Sequence, residues 1–84
     1  MRIRTEGITW QEIDGELVVL DLKTSAYLTT NVAGALLVKQ LTEEREEQDL
    51  VDALVAEFDI DVELARADVA SYLTQLREKS MLIE

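Results

Sequence analysis

The chain has 84 residues, 18 acidic against 8 basic for a formal charge of −10, and it contains neither cysteine nor histidine. That composition excludes disulfides and thiolate metal sites, removes the commonest general base and imidazole ligand, and sets a field that repels phosphate backbones and anionic membranes. With 48% hydrophobic residues the chain can bury a core of its own, so residues 1–84 are read as one domain.

No signal-peptide pattern opens the chain and no apolar run reaches membrane-spanning length, which predicts a cytoplasmic protein without a membrane partner. Residues 8–13 alternate, with Ile8 and Trp10 on one side and Thr9 and Gln11 on the other. This is a strand pattern, and the Asp14-Gly15 pair that follows is a strong hairpin signal. Leu17-Val18-Val19-Leu20 is nearly continuous in apolar character, which suits a central strand over residues 16–22 covered on at least one face. Lys23-Thr24-Ser25 reads as a turn, and Ala26-Tyr27-Leu28-Thr29 as a short third strand. The three form an antiparallel meander whose first and third strands each keep a free edge.

After Thr30, Asn31 offers an N-cap for a helix over Val32 to Leu41, with apolar residues at Ala33, Leu36, Leu37 and Leu41. Gly34 in that helix costs roughly 1 kcal/mol against alanine and so calls for a packing reason, such as close approach of the helix to the sheet. Thr42 to Gln48 is a charged link. A second helix over Glu46 to Phe58 carries Leu50, Leu54 and Phe58 on one face, with Val51 and Val55 beside them. Asp59-Ile60-Asp61 breaks it, and Asp61 caps a third helix from Val62 to Lys79. The apolar stripe there is Val62, Ala65, Val69, Tyr72, Leu73 and Leu76, while Arg66, Ser71, Gln75 and Glu78 face elsewhere. Arg77 and Lys79 suit the negative end of the helix dipole, and Met81-Leu82-Ile83 is an apolar tail that folds back onto the core.

A three-stranded antiparallel meander followed by three helices is an α+β fold, winged helix-turn-helix-like in the pairing of the second and third helices. The shape is that of a DNA reader, but the third helix opens Asp61-Val62-Glu63 with only Arg66 near its start, the wrong electrostatics for a duplex. Asp59 to Glu63 resembles the start of a calcium loop, yet Leu64 stands where glycine is needed and Ala70 where glutamate is needed. Ser25, Ser71 and Ser80 lack the Asp-Ser-Leu context of a phosphopantetheine carrier. The paired carboxylates Glu43-Glu44 and Glu46-Glu47 lie in a solvated charge run. These exclusions predict no catalytic residue, no metal site, no cofactor and no nucleic-acid partner.

What remains is binding. The apolar stripe of the third helix is wider than one core face needs, since adjacent Tyr72 and Leu73 point about 100° apart. One of them can line a groove beside the third strand, where an extended peptide would add a fourth strand to Ala26–Thr29. Leu28→Pro is then expected to remove a ladder donor and abolish peptide binding.

Val19-Leu20-Asp21-Leu22, Lys23-Thr24-Ser25-Ala26-Tyr27-Leu28 and Asn31-Val32-Ala33-Gly34-Ala35-Leu36-Leu37 together resemble the core pattern of PqqD-like proteins. Phe58-Asp59-Ile60-Asp61 and the run from Asp68 to Leu76 continue the likeness, which spans roughly residues 16 to 83. The resemblance implies a recognition element for ribosomally made, post-translationally modified peptides. Such an element binds the leader of a precursor peptide and hands it to a leader peptidase or other modifying enzyme. It implies a standalone member, with the lasso-peptide branch favoured by the short acidic chain and the pyrroloquinoline quinone branch as the alternative. A winged-helix transcription regulator and an oligomerisation module are the competing readings. Carried over by position, the resemblance gives Ala26, Tyr27, Leu28 and Thr29 as the pairing strand. It gives Asp68, Val69, Tyr72, Leu73 and Leu76 as helix contacts, and Arg66 and Arg77 as partners for acidic leader residues. Two departures are Val38, where an aromatic residue is frequent, and a linker without glycine.

Overall fold

A computed structural model describes all 84 residues, Met1 to Glu84. The elements are β1 (Arg2–Ile3), β2 (Ile8–Ile13), β3 (Glu16–Asp21), β4 (Tyr27–Thr29), α1 (Val32–Gln40), α2 (Glu47–Phe58), α3 (Val62–Glu78) and β5 (Leu82–Ile83). The main sheet has the antiparallel order β2-β3-β4, as the alternation and the turn residues predict. Asp14 and Gly15 both take positive φ, 54° and 83°, the left-handed backbone that a two-residue hairpin needs to match strand twist. The register pairs Trp10 with Val19 and Leu28 with Val19 from the other side, so these residues share the inner face.

The starts of α1 and α3 follow their expected caps, and α2 opens on a capping box that the sequence reading did not name. Asn31 accepts from the Gly34 amide at 2.9 Å, the Glu46 amide donates to Asp49 at 2.8 Å, and Asp61 accepts from the Glu63 amide at 2.7 Å. Asp59, left-handed at φ 51°, ends α2 and turns the chain into α3. The core is built from Leu17, Val19 and Leu28 of the sheet, Leu37 and Val38 of α1 with its C-cap Leu41, Leu50, Val51 and Leu54 of α2, and Ala65, Val69, Leu73 and Leu76 of α3. Truncating any of these leucines to alanine costs on the order of 2–5 kcal/mol.

The fold adds to the sequence reading in two places and corrects it in a third. The first is a second, two-stranded sheet in which Arg2 pairs with Ile83 and Ile3 with Leu82, tying the termini together and burying Ile3 and Met81 completely. Two-residue ladders carry no local periodicity, so only the tail's return to the core was legible. The second is Trp10, which shares the inner face yet is 38% exposed, because α1 packs mainly against β3 and reaches β2 only toward its end, where Lys39 pairs with Glu12 at 2.7 Å. The third is Gly34. A Cβ at Gly34 would overlap the ring and hydroxyl of Tyr72, so the neighbour that excludes a side chain at Gly34 is the Tyr72 ring reaching over from α3 and not the sheet.

A groove between the β4 edge and the third helix

The hydrogen-bonding parity of β4 decides what its free edge offers. Asp21 N donates to Ala26 O at 2.9 Å and Thr30 N donates to Leu17 O at 2.8 Å. Alternation in an antiparallel ladder then turns the backbone of Ala26, Leu28 and Thr30 toward β3, and that of Tyr27 and Thr29 toward the open edge. The side chains alternate as well. Leu28 points inward and is buried, whereas Tyr27 is 63% exposed on the outer face.

Beside that edge lies an open groove of about 460 Å³ lined by Ser25, Ala26, Tyr27, Leu28, Thr29, Gln75 and Lys79. α3 runs antiparallel to β4 along it, and polar clamps hold the two walls together at both ends. At one end the Tyr72 hydroxyl donates to Asn31 Oδ1 at 3.1 Å and accepts from the Asn31 amide at 3.4 Å. At the other, Arg4 donates from Nε to the Ser80 carbonyl at 3.1 Å and from Nη2 to Asp21 Oδ2 at 2.5 Å. Asp21 also accepts from the Lys23 amide at 2.9 Å and anchors the turn that leads into β4. The Lys23 amide above all, with the Arg4 guanidinium next, outweighs burial and holds the Asp21 carboxyl at about 2 instead of 3.8. Gly34 belongs to the first clamp, since only a residue without Cβ leaves room for the Tyr72 ring.

Several expected site residues lie elsewhere. Val69, Leu73 and Leu76 are 0%, 1% and 1% exposed and face the core, so they support the helix wall from behind and do not line the groove. Tyr72 closes one end of it. Arg66 is exposed and directed to Glu63 at 3.4 Å. Arg77 is held by Glu84 through bonds of 2.8 and 3.1 Å, which raise the Arg77 pKa and lower that of Glu84. Half-buried Asp68 is not among the lining residues. Ser25, Gln75 and Lys79, absent from the expected set, do line it. The signal for the helix pair was its i, i+4 spacing on the flank next to Leu76, a face that an apolar criterion passes over. The substitution expected to break peptide pairing is also misplaced. Leu28 gives its amide to β3, so proline there attacks the sheet itself.

Residues 16–82 match the protein family described as Coenzyme PQQ synthesis protein D (PqqD). The chain belongs to the PqqD family. Among solved structures, this PqqD-family chain is similar to TbiB1 in complex with the TbiA(beta) leader peptide, with 29% identity and a TM-score of 0.84, covering 98% of this chain and 94% of that one. It is also similar to a lasso peptide synthetase B1 complexed with the leader peptide, with 28% identity and a TM-score of 0.80, covering 99% and 96% of the two chains. No curated protein sequence matches it. The family expected from the residue pattern is thus borne out, with a matched span close to the expected one.

Proposed function

We propose that this chain is a non-catalytic recognition protein of lasso-peptide biosynthesis. It binds the leader segment of a ribosomal precursor peptide as a strand added to β4, in the groove against α3, and delivers it to a leader peptidase or other modifying enzyme. The observation that carries this reading is the outward backbone of Tyr27 and Thr29 beside a clamped groove, in a chain similar over nearly its whole length to two proteins solved with leader peptides. Two edge residues offer a donor and an acceptor each, and every ladder bond adds about 0.5–1.5 kcal/mol net. Strand geometry then splits the leader's side chains between two jobs. One set enters the groove, and the alternate set lies on the outer face beside Tyr27 and Thr29, where an enzyme can still reach it.

The charge of −10 disfavours the DNA-binding alternative despite the helix-turn-helix shape. Fluorescence-anisotropy titrations of labelled lasso-type and quinone-type leaders, with a short duplex as control, test the reading. Saturable binding of a lasso-type leader, with none of the duplex, is the expected result. Binding of quinone-type leaders alone would move the protein to the other branch, and flat curves for every peptide with a folded protein would overturn leader recognition.

A further inference from the structure

Backbone pairing alone leaves the position of an added strand undetermined. A strand that slips by two residues keeps every side chain on its own face and every ladder bond satisfied. Something outside the β4 backbone must therefore choose the register. β4 itself offers little on the groove side, because Ala26 is small and Leu28 is part of the core. The opposite wall presents Gln75 and Lys79.

Lys79 differs from nearly every other cation of the chain. Of the eight Lys and Arg side chains, Arg4, Lys23, Lys39, Arg45, Arg66 and Arg77 are each within ion-pair distance of a carboxylate of the same chain. Lys79 has no such partner, and the other unpaired cation, Arg2, sits on β1. Lys79 is also the C-cap residue of α3, where a positive charge favours the helix end. That role needs the charge but leaves the ammonium free to turn to a ligand. Its place along the groove follows from the two clamps. Tyr72 marks the Asn31 end, and seven residues of helix carry Lys79 about 10 Å along the axis. There it stands beside Ser80, whose carbonyl Arg4 links to Asp21 and so to the turn before β4.

We propose that Lys79 sets the leader's register by pairing with a single carboxylate side chain on the groove-facing side of the bound strand, near Ser25. The inference rests on the leader-binding reading above. The surrounding field sharpens it, because acidic leader residues elsewhere meet a protein of charge −10 and are disfavoured. The leader class that fits is an extended segment with one Asp or Glu among neutral or basic residues, not a generally acidic one. Arg66 and Arg77, the cations first expected to take this part, are already directed to Glu63 and Glu84.

The test uses the leader that wild-type protein binds in the anisotropy titration, at low salt. Each leader Asp or Glu is changed singly to its amide and titrated against wild type, Lys79→Met and Lys79→Glu, with unchanged thermal melts certifying the folds. One position is expected to lose roughly fivefold in affinity with wild type and to show no loss with Lys79→Met. A leader with lysine at that position should bind Lys79→Glu better than it binds wild type. Equal affinity of wild type and Lys79→Met for the native leader overturns the proposal, as does the finding that every acid substitution loses the same affinity in both proteins. If wild type binds no leader at all, the recognition reading falls first and this inference falls with it.

Discussion

The main sheet has two free edges, and only one of them has a helix standing beside it as a second wall. β2 is the longer, six residues against three, and only Ile8 is even half-buried along it. The depressions around Trp10, about 190 and 250 Å³, are lined by strand and loop residues alone. β4 is short, but α3 stands beside it and the Tyr72 and Arg4 clamps fix the distance between them. Unpaired backbone is common to both edges, so it does not select a ligand. A second wall turns an edge into a groove, because it gives an added strand side-chain partners as well as ladder bonds.

Proline substitutions break this comparison most sharply. Leu28→Pro removes a bond to β3 and misfits a buried position, and should cost more than about 3 kcal/mol, seen as loss of the cooperative melt by circular dichroism. Thr29→Pro turns its missing donor to the free edge. That variant should fold and lose leader affinity by roughly tenfold or more, the equivalent of one ladder bond and its alignment. Glu12→Pro is the matching change on β2, where the register turns the Glu12 backbone away from β3. It should leave leader binding unchanged, and a loss there equal to that of Thr29→Pro would show that β2 is the binding edge.

The clamps give smaller effects. Asp21→Asn leaves Arg4 without its carboxylate and should lower the melting midpoint by on the order of 10 °C. The Asp21 carboxyl titrates at about 2 in the folded chain and 3.8 when unperturbed, so its stabilisation is full above 3.8 and lost as pH falls toward 2. The gap between wild-type and Asp21→Asn melts should therefore narrow over that interval. Gly34→Ala drives a methyl into the Tyr72 ring, and the clash outweighs the helix-propensity gain by about 1 kcal/mol. In a Tyr72→Leu background the same change should become neutral or stabilising, a non-additivity that chemical denaturation measures directly. Arg77→Gln comes last. Its exposed pair with Glu84 should be worth little, and leader affinity should not change beyond about twofold.

Local chemistry was legible wherever one residue type has one physical use. Asp14-Gly15 specified a hairpin, Asn31 and Asp61 specified helix starts, and the spacing of Leu50 and Leu54 specified a buried face. Gly34 announced a close approach but not its partner, because a glycine records only that space is short. Leu73 and Leu76 looked equally able to serve core or groove, since burial depends on what stands opposite and periodicity describes one element at a time. Gln75 and Lys79 were passed over for the converse reason, being polar residues on a flank that becomes a wall only when β4 lies beside it.

By itself, then, the sequence determined the order of elements, the apolar faces, the net charge of −10 and the family pattern, all of which are local or summed properties. Tertiary structure decided the pairing of the two chain ends, the Tyr72–Gly34 fit, the Arg4 bridge from Ser80 to Asp21 and the side of β4 that stays open. Each of these joins residues distant in the chain. Their energies depend on distances that no single segment contains.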